Sequence, residues 1–179
     1  MKKIEKNTKK SYSRTQKICF CALFTAVICA CTFIALPLPI GYFNLGDVAV
    51  LVSAYVGGPL WGTLAAALGS SLADLLMGYT LYAPATALIK AVVALAACLL
   101  YRIFKKIILK ESLDLIPRAI ASVVAEIFMV VGYFLYEAFI LSYGLGASVS
   151  IPGNAVQALC GVLGSTIFMT AIRKLKLHI

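Results

Sequence analysis

The sequence predicts an all-α integral membrane protein that folds as a compact six-helix transmembrane bundle with both termini in the cytoplasm. Hydrophobic residues make up 62% of the 179 residues, against about 45–50% in soluble domains, and the mean hydropathy is +0.97. Charged residues make up only 13%. Since a transmembrane helix needs about 20 residues, the chain has room for one small bundle and for no sizeable soluble domain.

Turn residues and charges divide the chain into a basic cytoplasmic tail (1–17), a six-span transmembrane domain (18–173) and a short cytoplasmic tail (174–179). The run Gly57-Gly58-Pro59 is predicted to turn the second span directly into the third. The second span is short for a bilayer crossing, so we expect it to be partly irregular and covered by protein. The six predicted spans cover residues 18–38, 47–55, 60–77, 85–104, 117–141 and 152–172.

The distribution of basic residues predicts the orientation of the bundle. Fifteen of the 16 Lys and Arg side chains lie in the N-terminal segment, around the connector between the fourth and fifth spans, or near the C-terminus. Six spans bring these three regions to one side, which the positive-inside rule assigns to the cytoplasm. The net charge of +9 does not indicate nucleic-acid binding, because long apolar runs separate the basic clusters.

The sequence contains no motif of a common enzyme class. P-loop, HExxH and GxSxG patterns are missing from it, and the single histidine, His178, lies at the cytoplasmic end without a plausible partner. The six cysteines fall within apolar runs and form no CxxC motif, so we interpret them as reduced packing residues. We therefore expect a protein that is not an enzyme and that needs neither a metal ion nor a cofactor.

Polar and charged side chains are concentrated in one layer of the predicted bundle. A charged side chain inside a span costs at least about 2.5–3.5 kcal/mol on insertion scales, so it normally faces a cavity or a partner. Five spans contribute to this layer, which lies in the outer half of the bundle, and its members are Asp47, Asp74, Lys90, Glu137, Asn154 and Gln157. Tyr133 and Tyr136 add aromatic rings. Together these residues predict a polar pocket that opens to the outside.

Structural roles are alternatives for several of these residues. Asp74 and Lys90 can form a structural ion pair within the bundle. Asn154 and Gln157 can instead stabilise the start of the helix that follows Pro152. Under these alternatives the polar layer holds the fold together without binding a ligand.

Two further features of the spans are ambiguous. Glu126 lies nearer the middle of the membrane, where it can pair with Arg118 or with a neighbouring helix. Ala22, Ala26 and Ala30 place three small side chains on one face of the first span. Such a face allows close helix–helix approach, and by itself it favours packing inside the bundle.

Several short motifs follow one another along the chain: Asn44-Leu45-Gly46-Asp47, Gly58-Pro59-x-x-Gly62, Leu72-Ala73-Asp74, Tyr82-Ala83-Pro84-Ala85-Thr86, Ile89-Lys90 and Pro152-x-Asn154-x-x-Gln157. Together they resemble the substrate-binding (S) components of energy-coupling factor (ECF) transporters, which import vitamins into prokaryotes. The set is most similar to the riboflavin-type group of S components, which includes transporters suggested for vitamin B6 and thiamine precursors.

The resemblance implies a subunit of an ECF-type ABC importer in the plasma membrane of a prokaryote. Such a subunit captures a water-soluble vitamin or vitamin precursor in an outward-facing pocket. The partners implied are a transmembrane coupling subunit and two ATPase subunits, and Ala22, Ala26 and Ala30 correspond to the face that docks on the coupling subunit. The loop over residues 37–46 corresponds to a lid. The expected substrate-binding residues are Asn44, Asp47, Asp74, Lys90, Tyr133, Glu137, Asn154 and Gln157.

Two other functions are compatible with a small polar membrane bundle. A standalone secondary transporter would use Asp74 and Lys90 as a proton-coupled pair, although such carriers often contain inverted repeats and the sequence shows none. A structural membrane protein or assembly chaperone would not need a cluster of polar residues in the outer layer. The cluster therefore favours a protein that binds a small polar solute.

Overall fold

The computed structural model of the chain describes residues 13–37, 42–108 and 114–175. Five α-helices dominate it, and all five are long and apolar enough to cross a membrane. The prediction of an all-α membrane bundle is therefore confirmed in its architecture. The helices are α1 (Arg14–Phe33), α2 (Gly46–Leu76), α3 (Ala83–Ile107), α4 (Leu115–Leu135) and α5 (Ile151–Lys174).

Helix α1 begins inside the segment that the sequence assigned to the basic tail. Ser13 is its N-cap: the Ser13 hydroxyl accepts from the backbone N–H of Gln16 at 3.2 Å, and the Gln16 side chain accepts from the Ser13 N–H at 2.9 Å. This reciprocal pair satisfies two N–H groups that a helix start leaves free. Residues 1–12 and 176–179, the remainder of the two predicted tails, lie outside the described residues.

Helix α2 doubles back on itself at Gly58. Gly58 has φ 73° and ψ −170°, a conformation that glycine adopts without steric cost, and Pro59 follows it. The Ser53 hydroxyl donates to the carbonyl of Gly62 at 3.3 Å, whereas nine residues of straight helix would span about 13 Å. The two halves of α2 therefore lie side by side, and they correspond to the predicted second and third spans.

Two short strands that the sequence did not predict lie between α1 and α2. Strand β1 (Ala35–Pro37) pairs antiparallel with β2 (Tyr42–Asn44), with Ala35 opposite Asn44. Strand β2 and the last residue of β1, Pro37, belong to the stretch 37–46 that was expected to form a lid. Residues 38–41, between the two strands, lie outside the described residues.

Glycines allow α2 to pack closely against its neighbours. A Cβ atom added at Gly69 would lie 2.8 Å from the Ile28 Cβ of α1, and one at Gly164 of α5 would lie 2.7 Å from a methyl of Val48. Such distances are too short for any side chain, so these helices meet backbone to side chain. Both halves of α2 are thereby held in the interior of the bundle.

The remaining connections are short and partly helical. Helix α4 continues into a single π-helical turn (Tyr136–Ile140), and a 3₁₀-helix (Gly144–Ser150) leads into α5. The predicted fifth span over 117–141 thus contains an α-helix and a π turn rather than one uniform helix. A π turn widens the helix by one residue, and such turns are frequent at functional sites.

Candidate functional site

A polar cavity of about 190 Å³ opens between the helices. It is formed by the end of β2, the ends of α1, α2 and α4, and the beginnings of α3 and α5. All of these helix ends lie at the end of the bundle opposite to the start of α1 and the end of α5. Seven of the eight residues that the sequence analysis named as substrate-binding line this cavity: Asn44, Asp74, Lys90, Tyr133, Glu137, Asn154 and Gln157.

The eighth residue, Asp47, lies behind the cavity wall as the partner of Lys90. The Lys90 ammonium donates to Asp47 Oδ1, and the side chains are 6% and 1% exposed. The Lys90 ammonium also lies 2.9 Å from the sulfur of Met129. A buried charge requires a paired charge of opposite sign with further hydrogen bonds, and Asp47 supplies it.

The suggested Asp74–Lys90 ion pair is wrong as a description of the resting structure. Lys90 lies one helical turn deeper than Thr86, and its ammonium points to Asp47. Asp74 forms its side-chain hydrogen bond with Thr86 instead. The sequence placed both aspartates in the same layer but could not determine which of them the lysine reaches.

Two amides extend the ion pair into a buried network. The Gln157 side-chain N–H donates to Asp47 Oδ2 at 2.5 Å, and the Asn44 side-chain N–H donates to Gln157 Oε1 at 2.9 Å. Asn44 Oδ1 accepts in turn from the backbone N–H of Gly46 at 2.8 Å. The network joins the end of β2, the start of α2, α3 and α5, so it fixes one wall of the cavity.

Two carboxylates line the cavity, and neither forms an ion pair with a described Lys or Arg side chain. Glu137, in the π turn, accepts from the hydroxyls of Ser150 and Tyr82, the latter at 3.4 Å. Asp74 is 4% exposed, and its Oδ2 atom has no hydrogen-bond partner in the part of the chain that the structure describes. A buried polar atom without a partner is costly, so Asp74 Oδ2 is a candidate ligand contact.

Tyrosine side chains form an aromatic part of the wall. The Tyr133 hydroxyl donates to Thr86 Oγ1 at 3.1 Å, and the Lys90 ammonium lies 5.5 Å from the centre of the Tyr133 ring. The rings of Tyr79 and Tyr82 meet edge to face, with centroids 6.5 Å apart. Tyr136, which was expected to contribute, instead donates to the carbonyl of Leu81 and is not among the lining residues.

Half of the lining residues were not named as site residues in the sequence analysis. They are Thr32, Ser70, Tyr79, Tyr82, Thr86, Ser150 and Gly153. Thr86 and Ser70 lie one helical turn from Lys90 and Asp74, so helical periodicity was the signal that could have found them. Tyr79 and Tyr82 lie between α2 and α3, where a tyrosine is unremarkable by sequence alone.

The three alanines of α1 face away from the bundle. Ala22, Ala26 and Ala30 are all exposed, whereas Ile28 and Thr32 are buried. Packing of this alanine face inside the bundle is therefore ruled out. The face is free to contact lipid or another protein.

Glu126 lies close to the buried ion pair without lining the polar cavity: a Cβ atom added at Gly161 would lie 2.9 Å from Asp47 Cβ and 3.2 Å from Glu126 Oε1. Its side chain is 2% exposed, and neither carboxylate oxygen has a hydrogen-bond partner within the described ranges. It lies at an apolar cavity of about 320 Å³ between α4 and α5. The suggested pairing with Arg118 does not form, because Arg118 donates to Asp114 at 2.6 Å.

Asp114 organises the opposite end of the bundle. Besides Arg118, it lies within 3.2 Å of the Lys105 ammonium and 3.7 Å of the Arg173 guanidinium, and it accepts from the Tyr101 hydroxyl at 2.6 Å. Burial alone would raise the pKa of the Asp114 carboxyl, but the hydrogen bond from Tyr101 and the charges of Arg118 and Lys105 hold that pKa below its usual range. These contacts tie α3, α4 and α5 together.

Comparison with known proteins shows which family this chain resembles. The family model of the ECF-type riboflavin transporter S component matches residues 13–174. A Pyrococcus woesei protein described as an uncharacterized protein in a gap 3′ region is 32% identical over 141 residues, which are 77% of this chain and 88% of that protein.

A solved structure supports the same fold. The S component of a bacterial ECF transporter superposes with a TM-score of 0.67 at 21% identity, covering 92% of this chain and 97% of that chain. The family match extends over almost all described residues. The chain therefore belongs to the family of ECF-type riboflavin transporter S components, and it is a substrate-capturing membrane subunit of an ECF-type ABC importer.

Proposed function

We propose that this subunit captures a water-soluble vitamin or vitamin precursor in the polar cavity, with the cavity open to the outside of a prokaryotic cell. The observation that carries the proposal is the cavity itself. The cavity brings together charged and amide side chains from several helices of a membrane bundle. Burying such groups inside a membrane otherwise costs free energy. Membership of an importer family supplies a role for the cavity: selective capture of a small polar solute.

The orientation of the cavity follows from charge. Arg102, Lys105, Arg118 and Arg173 all lie at the end of the bundle opposite to the cavity, together with the first turn of α1. The positive-inside rule puts that end in the cytoplasm. With the two halves of α2 counted as separate spans, the chain crosses the plasma membrane six times, and both termini are cytoplasmic.

The exposed alanine face supports the proposed assembly. We infer that Ala22, Ala26 and Ala30 dock on the transmembrane coupling subunit of the importer, which two ATPase subunits drive. Small residues on an outer face permit a partner helix to approach closely. The subunit itself contributes substrate binding and contains no P-loop of its own, so the energy for uptake comes from its partners.

The alternative of a standalone proton-coupled carrier has lost its main support. It relied on an Asp74–Lys90 pair, whereas Lys90 is held by Asp47 and Asp47 is held by Gln157. The family match also favours an importer with separate energising subunits. We therefore retain vitamin capture as the proposed function.

The proposal is tested by measuring ligand binding to the purified protein. The subunit in lipid nanodiscs is screened by thermal shift against the water-soluble vitamins and their precursors, and hits are measured by calorimetry. A ligand at 100 times its Kd stabilises the folded state by about 2.7 kcal/mol. We expect at least one compound to raise the melting temperature, and Asn154→Ala to weaken its binding. A complete screen without a single stabilising compound contradicts the proposal.

A further inference from the structure

The balance of charge around the cavity indicates which class of vitamin it accepts. Lys90 is the single Lys or Arg side chain among the described residues that line the cavity. Its charge is already neutralised, because its ammonium is bound to Asp47 and both side chains are buried. Both oxygens of Asp47 are occupied, by Lys90 and by Gln157. The lysine therefore offers no net positive charge to a ligand.

The acidic side chains of the cavity are in the opposite situation. Asp74 and Glu137 are 4% and 8% exposed, and their hydrogen-bond partners are neutral hydroxyl groups. Asp74 Oδ2 has no partner at all among the described residues. The desolvation of a carboxylate is compensated best by a cation, so a positive group that enters the cavity gains more from these two side chains than a neutral or negative one.

The aromatic residues have the same preference. Tyr79 and Tyr82 line the cavity beside the two carboxylates, whereas the Tyr133 ring already lies 5.5 Å from the Lys90 ammonium. The face of an aromatic ring attracts a cation by about 0.5–2 kcal/mol, most strongly where water is excluded. Ring faces beside carboxylates are a suitable environment for an organic cation, whose charge is carried on an apolar frame.

The size of the cavity narrows the class further. Its volume of about 190 Å³ lies below the range of roughly 300–1,000 Å³ that is usual for drug-sized ligands. A compound with one small ring fits this volume better than a tricyclic flavin.

We propose that the cavity binds a small organic cation, smaller than a flavin, whose protonated amine or positively charged ring nitrogen contacts Asp74 Oδ2. The inference rests on the proposed function, since it assigns a chemical class to the ligand of the same cavity. It separates this chain from the flavin specificity that the name of its family describes.

The test compares vitamins that differ in charge. Pyridoxamine and pyridoxine share a ring and differ in an amine against a hydroxyl, so they form a matched pair. Thiamine carries a permanent positive charge, riboflavin is uncharged, and pantothenate is an anion. Calorimetry of the full-length protein in nanodiscs at pH 7 is expected to show binding of pyridoxamine or thiamine. Their Kd values should be at least tenfold below those of pyridoxine, riboflavin and pantothenate.

Variants identify the carboxylate that is responsible. Asp74→Asn should weaken binding of the preferred cation at least tenfold. The matched control is Asp114→Asn, which removes a buried carboxylate at the opposite end of the bundle and should leave the affinity within about twofold. If Asp74→Asn does not fold, Glu137→Gln and the comparison of charged and uncharged ligands on the unaltered protein decide the question.

The outcomes distinguish the two proposals. Tight binding of riboflavin, pyridoxine or pantothenate that exceeds the binding of both cations overturns the cation inference and leaves vitamin capture intact. Equal binding of the preferred cation by the unaltered protein and by folded Asp74→Asn also overturns the inference. If none of the vitamins or precursors binds, both proposals fail.

Discussion

Lys90 of α3 and Asp47 of α2 form a buried ion pair behind the wall of the cavity, 43 positions apart in the sequence. Gln157 of α5 donates to the second oxygen of the same carboxylate. The ion pair and the Gln157 amide together connect α2, α3 and α5 at the inner end of the cavity. In such a position the ion pair stabilises the arrangement of the helices and also sets the charge that a ligand meets.

The first prediction concerns this pair. Lys90→Met should lower the free energy of unfolding by about 3–5 kcal/mol, because it leaves the Asp47 carboxylate buried without a counter-charge. Adding Asp47→Asn should recover part of that loss. Denaturant unfolding of the purified protein in detergent measures both effects.

The control for this cycle is Asp74→Asn, which removes a carboxylate of the same layer that Lys90 does not bind. We expect Asp74→Asn to change the free energy of unfolding by the same amount in the Lys90→Met variant as in the unaltered protein, so that it shows no coupling to Lys90. If Asp74→Asn restored stability and Asp47→Asn did not, the ion pair would have been assigned to the wrong aspartate.

The second prediction separates a ligand contact from a structural contact. Asn154 lines the cavity, and its side chain forms no hydrogen bond with a described residue. Asn154→Ala should therefore weaken ligand binding by about 1–2 kcal/mol with little change in stability. Gln157→Ala should reduce both the ligand affinity and the free energy of unfolding, because the Gln157 side chain forms hydrogen bonds with Asp47 and Asn44. Calorimetry and unfolding of the same preparations give the two values, and identical behaviour of the two variants would contradict this division.

The third prediction concerns the buried carboxylate of Glu126. Both of its oxygens lack hydrogen-bond partners among the described residues, and an unsatisfied buried group costs about 1–3 kcal/mol. Glu126→Met should leave the free energy of unfolding unchanged or raise it by up to that amount. Asp47→Met serves as the contrast, because it removes the ion-pair partner of Lys90 and should lower the free energy of unfolding. A strong loss of stability in Glu126→Met would show that the carboxylate has a partner in the assembled membrane protein.

Helical periodicity limits how much of the site can be predicted from the sequence. Helical spacing and hydropathy give the depth of a side chain along its helix, so the layer containing Asp74, Lys90 and Gln157 was found before the structure was known. Depth does not determine the rotation of a helix about its axis. The choice between Asp47 and Asp74 as the partner of Lys90 depends on that rotation, and the sequence analysis suggested the wrong one.

The fold shows the same division between local and long-range information. The reversal of the chain at Gly58 was predictable, because a Gly-Gly-Pro run interrupts an apolar stretch. The pairing of β1 with β2 was not, since three-residue strands have too few residues to show alternation. Tyr133 of the cavity wall was expected, but Tyr79 and Tyr82 were not, because they lie outside any periodic segment and only the folded chain shows what they face.

The fourth prediction concerns pH. The pKa of Asp114 is lower in the folded protein than its usual value of about 3.9, so the folded state favours the charged carboxylate. This contribution to stability is present above the unfolded pKa and is lost as the pH falls through it toward the lower folded value. Asp114→Asn should therefore lower the melting temperature near neutral pH. Below pH 4 the melting temperatures of the variant and of the unaltered protein should lie closer together. An equal difference at all pH values would contradict the assignment.

The last prediction concerns the alanine face of α1. Ala26→Trp puts a large ring on a surface that otherwise presents methyl groups, and close approach of a partner helix depends on small residues. Ala26 is exposed, so the fold should tolerate the ring. The cavity draws on α1 only through Thr32, so ligand affinity should be preserved. Co-purification with the coupling and ATPase subunits should be lost, and vitamin uptake by cells should fall with it.

The matched control for Ala26→Trp is Leu163→Trp, which places the same ring at an exposed apolar position on α5. Because α5 is on another face of the bundle, this variant should assemble and transport normally. Both variants are compared by ligand affinity in the isolated subunit, by co-purification and by uptake. If Ala26→Trp loses ligand binding while assembly survives, the ring has disturbed the bundle itself. The alanine face would then have a role in folding rather than in docking, and the surface that receives the coupling subunit would have to lie elsewhere on the chain.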